Sequence, residues 1–151
     1  NILDAYHGDL RRARAAAVSI IPTSTGATKA VEKVLPQVKG KLAGYALRVP
    51  TPNVSITDVT ARLKTKVTVE KINDVFKKAA QDKLKGILEY CTEEVVSSDI
   101  MGNPYSSVFD SLLTQVVGSE SENIRVVSWY DNEWGYSNRL LDLANIMGNL
   151  R

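Results

Sequence analysis

The hydrophobic positions of residues 68–86 repeat with the 3.6-residue period of an α-helix, so one face of this stretch is apolar. Thr68 is a good N-cap before the stretch, and Gly86 is a natural stop after it. The spacing therefore predicts the clearest helix of the chain. The apolar face consists of Ile72, Val75, Phe76, Ala79 and Ala80.

Three further segments have helical character over shorter patterns. Asp9 can cap a short basic helix over residues 9–17, and a second helix is predicted over residues 27–35, where Pro36 bends or ends it. A last helix is predicted over residues 137–151. The apolar side of this helix consists of Leu140, Leu141, Ala144 and Met147.

Segments rich in β-branched and aromatic residues predict the strands. Val54 and Ile56 alternate with polar residues, and Val59 to Leu63 alternate with the opposite parity, which predicts a β-bulge or two segments near Asp58. The other predicted strands cover residues 45–49, 87–91, 95–96, 107–109, 115–117 and 124–130. This order of elements predicts an α+β fold, with a mostly antiparallel, mixed sheet and helices packed on one face.

Composition narrows the classes of function. The chain has 151 residues, enough for one domain with a buried core, and its net charge is only +2. A charge excess this small does not indicate a protein that binds nucleic acid or a membrane surface. The longest uncharged run, residues 15–28, is too short to span a membrane, and no signal peptide is visible. We therefore expect a cytoplasmic protein.

The chain contains one cysteine and one histidine, so a Cys/His catalytic pair could consist only of Cys91 and His7. Glu93 and Glu94 lie beside Cys91 and disfavour its thiolate, so we expect no nucleophile there. His7 is expected in a surface loop. The composition excludes a multi-cysteine metal site, and no G-x-G-x-x-G dinucleotide motif occurs in the sequence.

Four features have both a chemical and a structural interpretation. The hydroxyl cluster at residues 23–26 suits an anion at a helix N-terminus, or it is a plain N-cap. The basic residues in 10–14 contact phosphate or form a solvated helix face. Arg48 lies in a short apolar strand, where it binds an anion or forms an ion pair, because a lone buried charge is costly. The aromatic run SWYDNEWGY at 128–136 lines a site or forms a packed corner.

Taken together, these segments resemble the catalytic domain of the glyceraldehyde-3-phosphate dehydrogenase family over essentially the whole chain. The matching motifs are DLRRARAAA at 9–17, IIPTSTG at 20–26, LRVPTPNV at 47–54, KGIL at 85–88, VSSD at 96–99 and VSWYDNEWGYSNR at 127–139. The resemblance implies an oxidoreductase of glycolysis. Such an enzyme oxidises glyceraldehyde 3-phosphate with NAD and inorganic phosphate to 1,3-bisphosphoglycerate, through a thioester on a cysteine activated by a histidine.

The resemblance also implies the domain organisation. Residues 1–151 correspond to a partial catalytic domain, in which 1–24 resemble the S-loop and 137–151 the C-terminal helix. The nucleophilic cysteine, the histidine and the Rossmann domain are expected upstream of Asn1. We therefore expect no catalytic residue in this chain and no activity of the isolated chain. The implied partners are its own Rossmann domain and the other subunits of a homotetramer.

The phosphate-binding residues of the family can be carried over one by one. Thr25 and Gly26 match the subsite for inorganic phosphate, and Arg12 matches the arginine of that subsite. Arg48 matches the arginine that binds the phosphate of the substrate. No metal site is implied.

The resemblance further implies that Asn132 hydrogen-bonds the nicotinamide carboxamide and that Tyr130 lines the catalytic pocket. Ala5 and Tyr6 stand where NAD-specific bacterial members carry Leu-Pro and NADP-using photosynthetic members carry Ala-Ser. Because the ring of Tyr6 would crowd a 2′-phosphate, we expect NAD as the coenzyme, while NADP stays open.

Two alternatives stay open at this point. The loop sequence DAYH at 4–7 resembles erythrose-4-phosphate dehydrogenase, but that relative typically lacks the Ser-Thr-Gly turn and has cysteine at the position of Tyr130. A non-catalytic phosphosugar-binding or scaffold fragment is the second alternative, since the nucleophile and the base are not in this chain.

Overall fold

The computed structural model describes residues 1–149, so the last two residues of the helix predicted over 137–151 lie outside the described part. The chain divides into two compact units, Asn1–Pro52 and a second unit that begins at Asn53. Among residues 1–149, no helix combines the length and the apolar character needed to cross a membrane.

The first unit is built around a two-stranded antiparallel ribbon. Strand β1 (Ile21–Thr23) pairs with strand β2 (Ala46–Arg48). Helix α1 (Ala27–Val34) follows β1, and the short 3-10 helix Pro36–Val38 comes directly after it. The helix predicted at 27–35 is therefore confirmed, and Pro36 ends it because a proline in the interior would remove a helical hydrogen bond.

The helix predicted at residues 9–17 is wrong, since this segment consists of turns. One helical bond forms, from Ala13 N–H to the carbonyl of Asp9, but other backbone groups of the segment bond to the preceding loop. Ala5 N–H donates to the carbonyl of Ala13, and Ala15 N–H donates to the Asp4 carboxylate. Such bonds between distant residues offer the backbone an alternative to the helix, and periodicity does not report them.

The second unit contains a four-stranded sheet in the order β3–β6–β5–β4. The strands are β3 (Ser55–Val67), β4 (Leu88–Cys91), β5 (Ser107–Val116) and β6 (Ser121–Tyr130). Strand β4 runs parallel to β5, and the other pairs are antiparallel. The predicted α+β fold with a mostly antiparallel, mixed sheet is thus confirmed.

Helix α2 (Val69–Gln81) packs on β4 and β5 and completes the core. Thr68 caps it as predicted, because its hydroxyl accepts a hydrogen bond from Lys71 N–H. The centre of the core consists of the buried residues Ile72, Leu88 and Phe109. The ring of Phe76 stacks on the ring of Phe109, with 4.0 Å between the ring centroids. Val75, which the period assigned to the apolar face, is exposed instead.

The strand boundaries differ from the predictions where alternation is a poor guide. Strand β3 is continuous through Asp58, and its irregularity lies between Arg62 and Val67. The strands predicted at 107–109 and 115–117 are parts of one strand, β5, which ends at Val116 and has an irregularity between Asp110 and Gln115. No strand forms at 95–96; there the Asp99 carboxylate accepts the Val96 N–H that a strand partner would need.

Helix α3 (Trp134–Gly148) begins three residues earlier than the predicted start at 137. Gly135 is buried in its first turn, where an added Cβ would lie 2.8 Å from the carbonyl oxygen of Tyr105. Arg139 donates to the carbonyl of Gly86 and to the Ser106 hydroxyl. Leu140, Leu141, Leu143, Ile146 and Met147 are exposed in the described structure.

The early start of α3 is explained by Asp131, which is only 3% exposed. One carboxylate oxygen accepts the N–H groups of Glu133 and Trp134, each at 2.9 Å. The other accepts Gly102 N–H at 2.8 Å and the Asn53 side-chain amide at 3.1 Å. Burial alone would raise the pKa of Asp131, but these four hydrogen bonds favour the carboxylate and lower the pKa to about 2.

Val54 lies close to this corner and has a backbone φ of +75°. This left-handed conformation is unfavourable for a β-branched residue and costs about 1–3 kcal/mol. Its two neighbours are held by side-chain hydrogen bonds, Asn53 to Asp131 and Ser55 to Asn132. The surrounding contacts therefore impose the strained conformation of Val54.

We expect Asp131→Asn to lower the stability of the protein at pH 7 by about 1–3 kcal/mol, since an amide NH₂ would face N–H donors. Because its folded pKa lies below the unfolded value, Asp131 contributes stability above about pH 4 and loses it as the pH falls towards 2. Thermal melting between pH 7 and pH 2 should therefore show a shallower acid limb for the variant. The control is Asp74→Asn, an exposed carboxylate on α2. Equal acid limbs for Asp131→Asn and the wild type would contradict this account.

Val54→Gly should keep or raise the melting temperature, because glycine relieves strain of about 1–3 kcal/mol and costs about 0.5–1 kcal/mol in chain entropy. Val59→Gly, within strand β3 and with a φ outside the left-handed region, should lower the melting temperature. The comparison of the two melting curves is the measurement. A loss at Val54 as large as the loss at Val59 would show that the left-handed conformation stores no strain.

Candidate functional site

The Thr25–Gly26 turn lies directly before α1, where the sequence predicted an anion-binding subsite. The Thr25 hydroxyl accepts a hydrogen bond from Ala27 N–H at 3.1 Å, so it supports the turn and keeps its own proton available. Gly26 is exposed, and a Cβ added there would meet nothing within 4 Å. The turn is therefore open to solvent at the positive end of the helix dipole.

Arg12 lies beside the hydroxyl cluster. One of its terminal nitrogens donates to the Ser24 hydroxyl at 3.1 Å, one residue before Thr25. Its Nε lies 3.5 Å from the Asp9 carboxylate, but it is buried and makes no hydrogen bond within residues 1–149. The structure thus brings Arg12 to the hydroxyl cluster and leaves part of its donor capacity unused. Ser24, which was not among the predicted site residues, makes this contact.

Arg48 is the last residue of β2, and its backbone pairs with Ile21 at the beginning of β1. Thr25 follows the other end of β1, so the two residues belong to opposite ends of the ribbon. The side chain of Arg48 is exposed and makes no hydrogen bond or ion pair within the described residues. The expectation of burial is wrong, because the short strand around it is itself exposed at Leu47 and Val49.

A cleft of about 480 Å³ lies in the first unit, close to these residues. Its lining includes Arg11, Thr23, Ser24 and Tyr45, but none of the predicted phosphate-binding residues. The Thr23 hydroxyl is buried and has no partner within residues 1–149. Of the predicted phosphate-binding residues, Gly26 and Arg48 are exposed and Arg12 and Thr25 are half-buried, and none of the four lines this cleft.

Tyr130 and Asn132 lie together in the second unit, at the end of β6. Tyr130 is half-buried and its backbone pairs with Ser55 of β3. The exposed side chain of Asn132 is held by the same residue, since the Ser55 hydroxyl lies 3.3 Å from Asn132 Oδ1. Ser55 of the neighbouring strand therefore contacts both the predicted pocket-lining residue, through the backbone, and the predicted coenzyme-binding residue, through its hydroxyl.

The aromatic run 128–136 is a strand-to-helix corner organised by Asp131, and it also presents predicted site residues. The structure thus confirms the packed corner, while the lining of a site by this run stays a prediction. The sequence contained a signal for Asp131, because a carboxylate that stands two residues before Glu133 and three before Trp134 can accept the first N–H groups of helix α3. It contained no signal for Ser55, because its contacts join residues 77 positions apart.

The side chains of Cys91 and His7 make only local hydrogen bonds within residues 1–149. The sulfur of Cys91 lies 3.5 Å from Glu93 N–H at the end of β4. The ring nitrogen Nδ1 of exposed His7 accepts Asp9 N–H at 2.9 Å and stabilises the loop. Within residues 1–149, neither side chain forms a hydrogen bond with a predicted site residue.

Comparison with known proteins matches residues 1–132 to the family described as glyceraldehyde 3-phosphate dehydrogenase, C-terminal domain. The chain is 59% identical over 148 residues to glyceraldehyde-3-phosphate dehydrogenase of Mycobacterium tuberculosis and 60% identical to that of Mycobacterium avium. It is 56% identical over 146 residues to glyceraldehyde-3-phosphate dehydrogenase 2 of Synechocystis. These alignments cover 97–98% of this chain and 43% of each relative.

The chain therefore spans less than half the length of the curated relatives it matches. The identity is high and extends over nearly all of the sequence, and the matched family model includes every predicted site residue from Arg12 to Asn132. The family match and the high identity together show that the chain belongs to the glyceraldehyde-3-phosphate dehydrogenase family and corresponds to its C-terminal, catalytic domain.

Proposed function

We propose that this chain is the catalytic-domain part of a phosphorylating, NAD-dependent glyceraldehyde-3-phosphate dehydrogenase. The reaction needs sites for two phosphate groups, because the aldehyde already carries one and a second is taken from solution to form the acyl phosphate. The observation that supports the proposal is that the two candidate phosphate-binding elements, the Thr25–Gly26 turn and Arg48, lie at opposite ends of the ribbon of the first unit. The product of such a reaction is 1,3-bisphosphoglycerate, an intermediate of glycolysis.

Inorganic phosphate is assigned to Arg12, Thr25 and Gly26. The Thr25 hydroxyl can donate to a phosphate oxygen while it accepts Ala27 N–H, and Gly26 leaves room for the anion. The N–H groups of the first turn of α1 add partial positive charge. Arg12 is held nearby by Ser24 and supplies the full positive charge.

The phosphate of the substrate is assigned to Arg48. A guanidinium on a strand that is followed by Pro50 has limited freedom, and it can bind a phosphate with two parallel hydrogen bonds. The exposed, unpaired state of Arg48 among the described residues leaves these donors available. A structural ion pair, the alternative for this residue, has no partner in residues 1–149.

The nicotinamide contact is assigned to Asn132, with Tyr130 lining the pocket. The residues fit a carboxamide, because the exposed amide of Asn132 carries the complementary donor and acceptor. When bound, NAD supplies the hydride acceptor. The bulky, fully exposed Tyr6 offers no cation to a 2′-phosphate, which favours NAD over NADP.

The nucleophilic cysteine, the base and the Rossmann domain belong, in this proposal, to the part of the enzyme that precedes Asn1. Residues 1–24 would form the S-loop of a cytoplasmic homotetramer. The irregular backbone of residues 1–20 supports this assignment, since the segment contains no helix or strand.

Erythrose-4-phosphate dehydrogenase is the second candidate, and the loop sequence at 4–7 favours it. The Thr25–Gly26 turn and Tyr130 disfavour this candidate, because that relative typically lacks the turn and has cysteine at the position of Tyr130. Turnover of the two aldehydes by the full-length enzyme decides between them. If the enzyme turns over neither aldehyde, the non-catalytic phosphosugar-binding alternative gains support.

In the full-length enzyme, Arg48→Leu should lower kcat/KM for the phosphorylated aldehyde by roughly 10- to 150-fold, the effect of losing a charge-assisted contact of about 1.5–3 kcal/mol. Its effect on KM for inorganic phosphate should be small. Arg62→Leu is the matched control, because Arg62 is exposed and pairs only with Glu122. Steady-state kinetics with each substrate varied in turn is the measurement.

Thr25→Val keeps the shape of the side chain but removes a donor, so it should raise KM for inorganic phosphate by roughly 2- to 10-fold. KM for the aldehyde should stay close to the wild-type value. Thr57→Val, a hydroxyl removal on the exposed strand β3, serves as the control. If Arg48→Leu and Thr25→Val shift both substrates equally, the assignment of two separate phosphates is wrong.

The 151-residue chain alone should show no phosphate-dependent formation of NADH, because positioned nucleophiles and bases supply most of the acceleration in covalent catalysis. The assay is the absorbance of NADH with purified chain, and the full-length enzyme is the positive control. Measurable turnover by the chain would refute the assignment of the nucleophile to the preceding part.

A further inference from the structure

We propose that Ser55 is a positioning residue, which orients the amide of Asn132 for recognition of the nicotinamide ring. This inference rests on the proposed function and deepens it, because it assigns a role to a residue that does not touch the coenzyme. The inference rests on two side-chain hydrogen bonds that join residues 53–55 to the corner that contains Asp131 and Asn132.

Two side chains of this segment reach two consecutive residues of the corner. The Asn53 amide donates to Asp131 at 3.1 Å, and the Ser55 hydroxyl donates to Asn132 at 3.3 Å. Val54 lies between them in the left-handed conformation, φ +75°. A strained, β-branched residue persists only where its surroundings determine the backbone. The two contacts therefore specify the path of this segment.

The corner itself is a rigid reference. Asp131 is buried and is held by Gly102, Glu133 and Trp134 in addition to Asn53. Asn132 directly follows Asp131, so its backbone is placed by the same hydrogen bonds. Its side chain, in contrast, is exposed and depends on Ser55 for its orientation.

The orientation matters because an amide has a different group at each end. The Ser55 hydroxyl donates to the oxygen of Asn132, and this contact limits the rotation of the exposed side chain. A carboxamide partner also has one acceptor end and one donor end. Binding to an amide of fixed orientation avoids the loss of side-chain freedom that a freely rotating amide would suffer.

The test compares two ligands of the full-length enzyme, NAD and ADP-ribose, which lacks the nicotinamide ring. Dissociation constants are measured by fluorescence titration for the wild type and for Ser55→Ala. We expect Ser55→Ala to raise the Kd for NAD by roughly 2- to 10-fold, the effect of one neutral hydrogen bond, and to leave the Kd for ADP-ribose unchanged. The KM values for aldehyde and phosphate should also stay unchanged.

Two further variants separate positioning from folding. Ser55→Thr keeps the hydroxyl and should restore the wild-type Kd for NAD. Thr57→Ala removes a hydroxyl two residues along the same strand, on an exposed position, and should change neither Kd. Melting temperatures of all variants show whether each protein is folded at the temperature of the titration.

Equal Kd values for NAD in the wild type and Ser55→Ala would overturn the inference. Parallel weakening of NAD and ADP-ribose would also overturn it, because it would show a general structural role. If the wild type binds NAD but does not oxidise the aldehyde with phosphate, the proposed reaction fails while the comparison of the two ligands still decides the role of Ser55. If the wild type binds NAD no better than ADP-ribose, the inference fails together with the coenzyme assignment.

Discussion

The carboxylate of Asp131 is the interaction on which the second unit depends, because it collects hydrogen-bond donors from three separate parts of the chain. Its partners lie before β3, in the turn at Gly102 and in the first residues of α3. A buried charge is tolerated only when its oxygens are satisfied, and here each oxygen accepts two donors. The sheet, the turn and the helix are thereby fixed to one point, and Tyr130 and Asn132 lie on either side of it.

The sequence predicted those elements whose signals are local. Helix α2 combines a regular apolar period with an N-cap, and both were found in the structure. The same criteria failed at residues 9–17, where Asp4 and Asn1 offer the backbone competing partners from the preceding loop. They also misplaced the start of α3, since the donors at its first turn bond to a carboxylate upstream of the helix.

In the candidate site, too, local patterns could be predicted from the sequence and long-range contacts could not. The turn at Thr25–Gly26 could be predicted, because a hydroxyl and a glycine before a helix form a local pattern. The residues alone left Arg48 open between an anion and an ion pair, and the resemblance to a known family supplied the specific roles predicted for Arg48 and Asn132. The sequence placed Ser24 in the hydroxyl cluster at 23–26, but its contact with Arg12 could not be predicted, and neither could the contact of Ser55 with Asn132, because both join residues far apart in the sequence.

Helix α3 is attached to its unit by the glycine at its start and by the polar contacts of Arg139, while the leucines that follow are exposed. Gly135 sets the distance of closest approach through a backbone contact with Tyr105, so no larger residue is compatible with this attachment. The outward leucines are not needed for the fold of the unit itself. Mutational scanning along α3 would therefore separate two constraints. Positions 135 and 139 should tolerate few substitutions because the fold of this unit requires them. Intolerance at positions 140–147 would instead point to contacts with something outside the unit.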